Sequence, residues 1–487
     1  MKDSSLFKLQ SISLISRIMA MFLGIVQSVF IVKTISQTGW GTIQVIASIA
    51  SIVGASQAFG LTSGSTREIA GAKTNSEAFK IFITSLIFRI CISLPFAIYL
   101  FVFAPALAQS NSDSIDVVWA LRIISFVLLL QASQGIFNSV ISGFRKFKTL
   151  FTYQVVIAFI SVLLYIPLVY LYQFKGYYYA YFLFNFIGFV VLLVLAIQNF
   201  EKPFPKILFI DSKKILKEIF GISLVIYLVK LIYTFWQQSP VLYLKYILNI
   251  PESSIAIFSL AMFYSTKLMV FSDSITDVTL PVMSKKFIDD IEDFKISYKK
   301  NYIKTFLIIT FVSSIAVYWS REVMLIITSG RPDYIPSVTL IPFTLLGIWS
   351  YSQINLLKSS VYVPSKKLIG LFITYISMVI FVYIVLYLLN ILNLEILFKL
   401  SIAFGVGSFI AYLVSIYIIY KQLKLSLLTK LLVYYLGISI LFSSLFFYSN
   451  NILMKLIFTL LYLTMSYYFF EKIKLITFIK NKFLKLI

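Results

Sequence analysis

Six basic residues sit where a lipid-facing helix tolerates few. Arg17, Arg89, Arg122, Lys230, Lys267 and Lys358 each fall inside a long apolar run. A cation at the centre of a membrane helix costs roughly 2.5–3.5 kcal/mol on the insertion scale. The cost is tolerable where the charge faces a hydrated, protein-lined cavity, and cations in such a cavity call for an anionic ligand. Lys230 lies near the middle of its run, SLVIYLVKLIYTFWQQ, too deep to reach either interface, with Gln237 and Gln238 extending the polar surface outward. Lys267 is similarly deep in AMFYSTKLMVF. Either lysine could instead pair with a buried carboxylate. Arg89 is well inside its run and its role stays open. Arg17 is close enough to the inner interface to snorkel, and Arg122 and Lys358, near the ends of theirs, read as snorkelling residues.

Asp273 and Asp277 stand one turn apart on one helix face. Like charges at that spacing repel, so they stay ionised only beside water, a cation or a basic partner. They form a candidate coupling-ion site, or a hydrated cytoplasmic mouth. Histidine is absent altogether, which excludes Ser-His-Asp triads, His-based metal sites and histidine proton relays. The single cysteine, Cys91, permits no intrachain disulfide. No metal and no cofactor is expected.

The 487 residues are 60% hydrophobic and only 13% charged, against about 25% charged in soluble domains. Apolar stretches of about 20 residues recur along the whole chain, the length of a membrane-crossing helix. Fourteen such spans are predicted, the first over 10–32, the eighth over 253–282 and the last over 452–470. The net charge of +23 would suggest nucleic acid in a soluble protein. Its placement points to topology instead, and no nucleic-acid partner is expected. With both termini inside, 29 Lys and Arg fall on the cytoplasmic ends and loops. Only Lys33, Lys175, Lys245, Arg321, Arg331, Lys399 and Lys455 fall outside. That bias places both termini in the cytoplasm of a multi-pass cell-membrane protein. The N-terminal apolar run lacks a cleavage site and reads as a retained first helix.

A weak internal repeat organises the spans. GLTSGSTREIAGAKTNSEAFK after the second helix is matched about 218 positions later by LPVMSKKFIDDIEDFKISYKKNYIK after the eighth. SGFRKFKTLFTY after the fourth is matched by SSVYVPSKKLIGLF after the tenth. An even number of helices separates the copies, so they keep one orientation and relate by an axis along the membrane normal. The expected architecture is an all-α membrane protein with two six-helix lobes, 1–200 and 213–421. Two further helices at 429–470 and a basic cytoplasmic tail at 471–487 follow. Pro95, Pro167, Pro240 and Pro281 allow bends, and the small residues of SIASIVGASQAFG allow close helix approach or a hinge.

The stretches ISRIMAMFLGIVQSVFIVKTISQTGWG, FGLTSGSTREIA, SVISGFRKFK and LPVMSK, taken with length and loop placement, resemble polysaccharide flippases of the Wzx type. These belong to the multidrug/oligosaccharidyl-lipid/polysaccharide exporter superfamily. The resemblance includes the basic residue early in helix one and implies a cavity-lining position for Arg17. It further implies transfer of an undecaprenyl-diphosphate-linked oligosaccharide from the inner to the outer leaflet. Arg17, Arg89, Lys230 and Lys267 are the candidate substrate contacts, since a guanidinium grips a diphosphate with paired hydrogen bonds. No covalent chemistry is needed, so a transporter and not an enzyme is expected. It would be surrounded by membrane lipids, monomeric, and accompanied by a glycan polymerase. Two rivals stand beside this reading. A cation-coupled drug exporter of the same superfamily is opposed by the buried cations. A membrane polysaccharide polymerase or ligase is opposed by the short outer loop around Arg321–Pro336.

Overall fold

The structure, a computed structural model, describes residues 3–108, 114–201, 209–425, 429–447 and 451–472. Among them are sixteen α-helices and no strand. Eleven helices are long and apolar enough to cross a membrane. The chain is an all-α, multi-pass membrane protein, while fourteen crossings remain an expectation. Of the basic tail expected over 471–487, residues from 473 onward lie outside the described residues.

The first unit comprises Ser11–Ser259 with Ile327–Ser329. It contains α1 (Asp3–Thr34) from Ser11 on, α2 (Gln37–Ser56), α3 (Leu61–Gly71), α4 (Asn75–Ala108), α5 (Ser114–Gly143), α6 (Phe147–Ile197) and α7 (Phe209–Leu242). α2 starts where the Ser36 hydroxyl accepts a 3.0 Å hydrogen bond from the Gly39 amide. α6 is two arms joined at a kink. At Gln173 the backbone turns left-handed (φ 49°), and the Tyr165 and Tyr177 rings come within 5.3 Å. Twelve residues of straight helix would span roughly 18 Å, so the chain doubles back there. Gly176 makes the turn possible, because a Cβ at that position would lie 1.9 Å from the Leu168 carbonyl oxygen. Each arm, about 25 residues, is long enough to cross hydrocarbon. α4, α5 and the second arm of α6 share a core in which Phe82 stacks on Phe200 at 5.4 Å and packs beside Phe137. α7 packs against α2, α3 and α4.

α7 ends in a π-helical turn, Tyr243–Ile247, from which Lys245 reaches Glu252 at 2.7 Å. Glu252 opens α8 (Glu252–Thr266), and both side chains are less than a tenth exposed. Lys245, expected in an outer loop, is thus half of a buried ion pair. Gly41 of α2 meets the same place. A Cβ there would sit 1.8 Å from the Glu252 carbonyl oxygen, so only glycine allows this approach.

The second unit comprises Leu260–Ile326 and Gly330–Ile487 with Met1–Gln10. Its helices, after the end of α8, are α9 (Met269–Asp289), α10 (Ile291–Tyr318), α11 (Ser320–Ile327, all but its last residue), α12 (Ser337–Leu357), α13 (Leu368–Leu389), α14 (Ile396–Leu423), α15 (Lys430–Ser444) and α16 (Ile452–Lys472). α14 packs against both α12 and α13, with Gly407 so close to the Val382 backbone that a Cβ would lie 2.5 Å away. α15 and α16 are fastened by the Phe442–Tyr462 stack, 4.1 Å between ring centres, and by the Tyr435 hydroxyl donating to Ser466. Lys455 of α16, 1% exposed, is held by Glu322 at 2.8 Å.

The helix expected over 253–282 is interrupted. After Thr266 the chain makes two residues of turn, Lys267 and Leu268, closed by three-residue hydrogen bonds such as Lys267 N–H to Tyr264 C=O. The second helix is broken likewise at Gln57–Gly60, where Phe59 and Gly60 both take positive φ. The repeated basic turns also share a backbone. Arg145 and Lys366 both have φ 57°, and the next amides, Lys146 and Lys367, both donate to a carbonyl five residues back. The repeat seen between SGFRKFK and VPSKKLIG is therefore a repeat of geometry as well as of composition.

Candidate functional site

A cavity of about 410 Å³ opens inside the first unit, within the 300–1,000 Å³ range of small-molecule sites. Five helices build its wall. α2 contributes Ala47, Ala50, Ser51, Gly54 and Ala55, whose spacing keeps them on one face and whose small side chains leave the space empty. α7 contributes Lys230, Thr234, Gln237 and Gln238, also on one face. α4 adds Arg89, α5 adds Gln131, and the second arm of α6 adds Tyr177, Tyr178 and Tyr181. Among its described lining residues are two cations and no carboxylate.

The break after α2 positions the cationic end. Ending the helix at Ser56 frees carbonyls that helical amides would otherwise engage. Tyr227 donates to the Ser56 carbonyl oxygen at 2.7 Å, and Arg89 Nη1 donates to that of Gln57. Arg89 is 6% exposed, yet its Nε has no hydrogen-bond partner, and neither has Oε1 of the 1% exposed Gln57. The guanidinium therefore closes the helix break through Nη1 while its Nε is unsatisfied. Lys230, by contrast, is exposed, as a side chain that lines an open cavity can be at mid-helix. Both cations line the same cavity, and like charges in a low-polarity wall are stabilised by an anion between them.

From α5, Gln131 Nε2 donates to the Tyr181 hydroxyl at 2.9 Å and to Asn185 Oδ1 at 3.0 Å. Gln238 Oε1 accepts from the Ser48 hydroxyl at 2.9 Å. The Tyr177 and Tyr181 rings are parallel, 6.4 Å apart. Tyr178, 1% exposed, lines the cavity with a buried hydroxyl that has no partner.

The other expected residues stand elsewhere. Arg17 is half-buried on α1 and does not line this cavity; beside it is an apolar cleft between Ile18, Met19 and Phe22 of α1 and Val155, Val156 and Phe159 of α6. Lys267 belongs to the second unit, at the break between α8 and α9, with its ammonium 3.9 Å from the centre of the Phe263 ring. Asp273, in α9, accepts from Asn355 of α12 at 2.9 Å, whereas the side chain of Asp277 lies outside the described residues. Arg122 is exposed and stacks over Phe101 at 5.1 Å. Lys358 starts a π-helical turn, Lys358–Tyr362. Among the described residues no group of three acidic or cysteine side chains gathers to hold a metal.

Sequence reasoning did not single out the tyrosines. Nothing in KGYYYAYF marks which ring faces inward. The regular spacing of Ala47, Ser51, Gly54 and Ala55 was the available signal for a cavity wall.

Comparison with known proteins agrees with this architecture. The chain resembles the "Lipid II flippase MurJ, inward closed conformation" with TM-score 0.68 and 17% identity, over 96% of this chain and 99% of that one. An inward-facing multidrug resistance MATE family transporter of the MOP superfamily gives TM-score 0.64 and 16% identity, over 86% and 98%. An outward-facing conformation of a MATE family transporter of the same superfamily gives 0.60 and 17%, over 88% and 98%. At such identities the likeness is one of fold. No curated protein matches the chain in sequence. The profile of one family, described as "Polysaccharide biosynthesis protein", matches residues 8–287, more than half of the chain. On that match the chain belongs to the polysaccharide biosynthesis protein family and has the fold of the MOP-superfamily transporters.

Proposed function

We propose that this protein is a flippase for an undecaprenyl-diphosphate-linked oligosaccharide, carrying the head group from the inner to the outer leaflet while the isoprenoid tail stays in lipid. One observation carries the reading: Arg89 and Lys230 line one cavity in which no described residue is acidic. Such a site favours an anion and repels the cations that many drug exporters carry. A diphosphate crossing some 30 Å of hydrocarbon needs that compensation. Alternating access, with one lobe rocking against the other, would expose the site to each side in turn. Both termini are cytoplasmic in this scheme, and the protein works as a monomer in the cell membrane beside a glycan polymerase. Arg17 and Lys267 are proposed contacts elsewhere along the same path. A coupling cation or proton would be held at Asp273 and Asp277. No bond is made or broken, so the protein is not an enzyme in this account.

The test is flipping of a polyprenyl-diphosphate-linked sugar in proteoliposomes. A hydrogen bond to a charged group is worth about 1.5–3 kcal/mol, so Lys230→Gln should slow flipping by about tenfold or more. A rhodamine-type cationic dye should not compete. Unchanged flipping in Lys230→Gln, or uptake of the dye with no effect of the lipid, would overturn the proposal in favour of drug export.

A further inference from the structure

Part of the lining beside the cations is not an anion site. Gln131 commits its amide nitrogen to Tyr181 and Asn185, which leaves its carbonyl oxygen as the free end. Gln57 contributes a second acceptor, its buried Oε1 without partner. A phosphate oxygen has no hydrogen to give either of them and would be repelled. Gln238 is turned the other way: Ser48 occupies its oxygen, so its amide hydrogens are the free end. Tyr178 adds a hydroxyl that can donate or accept, buried and unpartnered.

A buried polar atom without a partner costs about 1–3 kcal/mol. Three such atoms, Gln57 Oε1, Arg89 Nε and the Tyr178 hydroxyl, belong to residues lining one cavity. Together they call for a ligand that both donates and accepts hydrogen bonds. Phosphate alone only accepts, and a hydrocarbon does neither.

We infer that Gln57, Gln131, Tyr178 and Gln238 form a hydroxyl-reading subsite beside the cationic end, taking an uncharged sugar ring attached to the diphosphate. This rests on the proposed function, because it assumes that Arg89 and Lys230 hold the phosphates. The mixed polarity follows from the amide orientations. The amides of Gln131 and Gln238 are each pinned by a neighbour from their own unit, so the subsite is formed before the ligand arrives.

The experiment compares two probes on the purified full-length protein: farnesyl diphosphate, and the same lipid bearing one N-acetylhexosamine on the diphosphate. Wild type should bind the glycosylated probe about tenfold more tightly or better. Tyr178→Phe and Gln131→Leu should each reduce that preference by about three- to tenfold, the worth of one hydrogen bond, while farnesyl diphosphate affinity moves by less than about twofold. Tyr178→Phe removes only an unpartnered hydroxyl, so its melting temperature in the absence of ligand should not fall. That separates a ligand contact from a structural one, and it covers the case in which Gln131→Leu fails to fold. Equal binding of the two probes by wild type, or an unchanged preference in Tyr178→Phe, would overturn the subsite and leave the cationic end standing. Failure of wild type to bind farnesyl diphosphate, with no effect of Lys230→Gln on either probe, would instead overturn the proposed function.

Discussion

The buried pair Lys245–Glu252 gives the sharpest test of the structure itself. It joins the C-terminal end of α7, the helix carrying Lys230, Gln237 and Gln238, to the start of α8. The charges are 2.7 Å apart with side chains 6% and 3% exposed. Removing one partner strands the other in a medium that cannot hydrate it, and this typically costs about 3–5 kcal/mol. Replacing both by apolar residues of similar volume removes the attraction and the desolvation cost together, and is often neutral. Lys245→Met and Glu252→Met should therefore each destabilise the protein by about 3–5 kcal/mol. The double variant should recover most of that loss. The assay is equilibrium unfolding in mixed detergent–SDS micelles, analysed as a double-mutant cycle, where contacting residues show coupling well above the ~0.5 kcal/mol error of additivity. Single variants within about 1 kcal/mol of wild type, or a double variant that loses the sum of both, would refute the argument.

Reporter fusions after Lys175 and after Lys286 should report outside and inside respectively, and an outside signal at Lys286 would contradict the cytoplasmic placement of both termini. Asp273→Asn keeps an oxygen for the Asn355 amide, so stability should change by less than about 1 kcal/mol. If Asp273 and Asp277 hold a coupling ion, the Asn variants should bind substrate nearly as wild type but lose their response to an imposed sodium or proton gradient in vesicles. A double Asn variant that still responds to both gradients would remove the coupling idea. Gly41→Ala forces the start of α8 off α2 and should lower the melting temperature measurably, and an unchanged melt would contradict the close approach.

The helical membrane fold was legible because runs of about 20 apolar residues leave little else to build. Lys230 with Gln237 and Gln238 was legible as a polar stripe because their spacing puts them on one face. Arg89 was legible as a buried cation and candidate contact, but its anchoring was not, for that depends on the break at Gln57, and SIVGASQAFG runs on as an apolar stretch with no proline to stop it. The interruption at Lys267 was hidden for the same reason. A helix that is apolar all round does not declare which face is buried. Tyr178 and Gln131 therefore acquire their orientation only from packing between α5 and α6. Lys245 looked like a loop cation because the sequence shows a charge near a span end, and the carboxylate that buries it enters only when α8 begins.

The central claim is that the cavity lined by Arg89 and Lys230 carries the diphosphate-linked head group. The most direct measurement places a photo-crosslinking amino acid at Gln237, on the cavity wall, in cells making the glycan, with Phe159, 55% exposed on the outer face of α6, as control. Mass spectrometry of the crosslinked protein should find a polyprenyl-diphosphate-linked sugar at position 237 and bulk phospholipid at position 159. Phospholipid at both positions, with no glycosylated lipid at 237, would contradict the account.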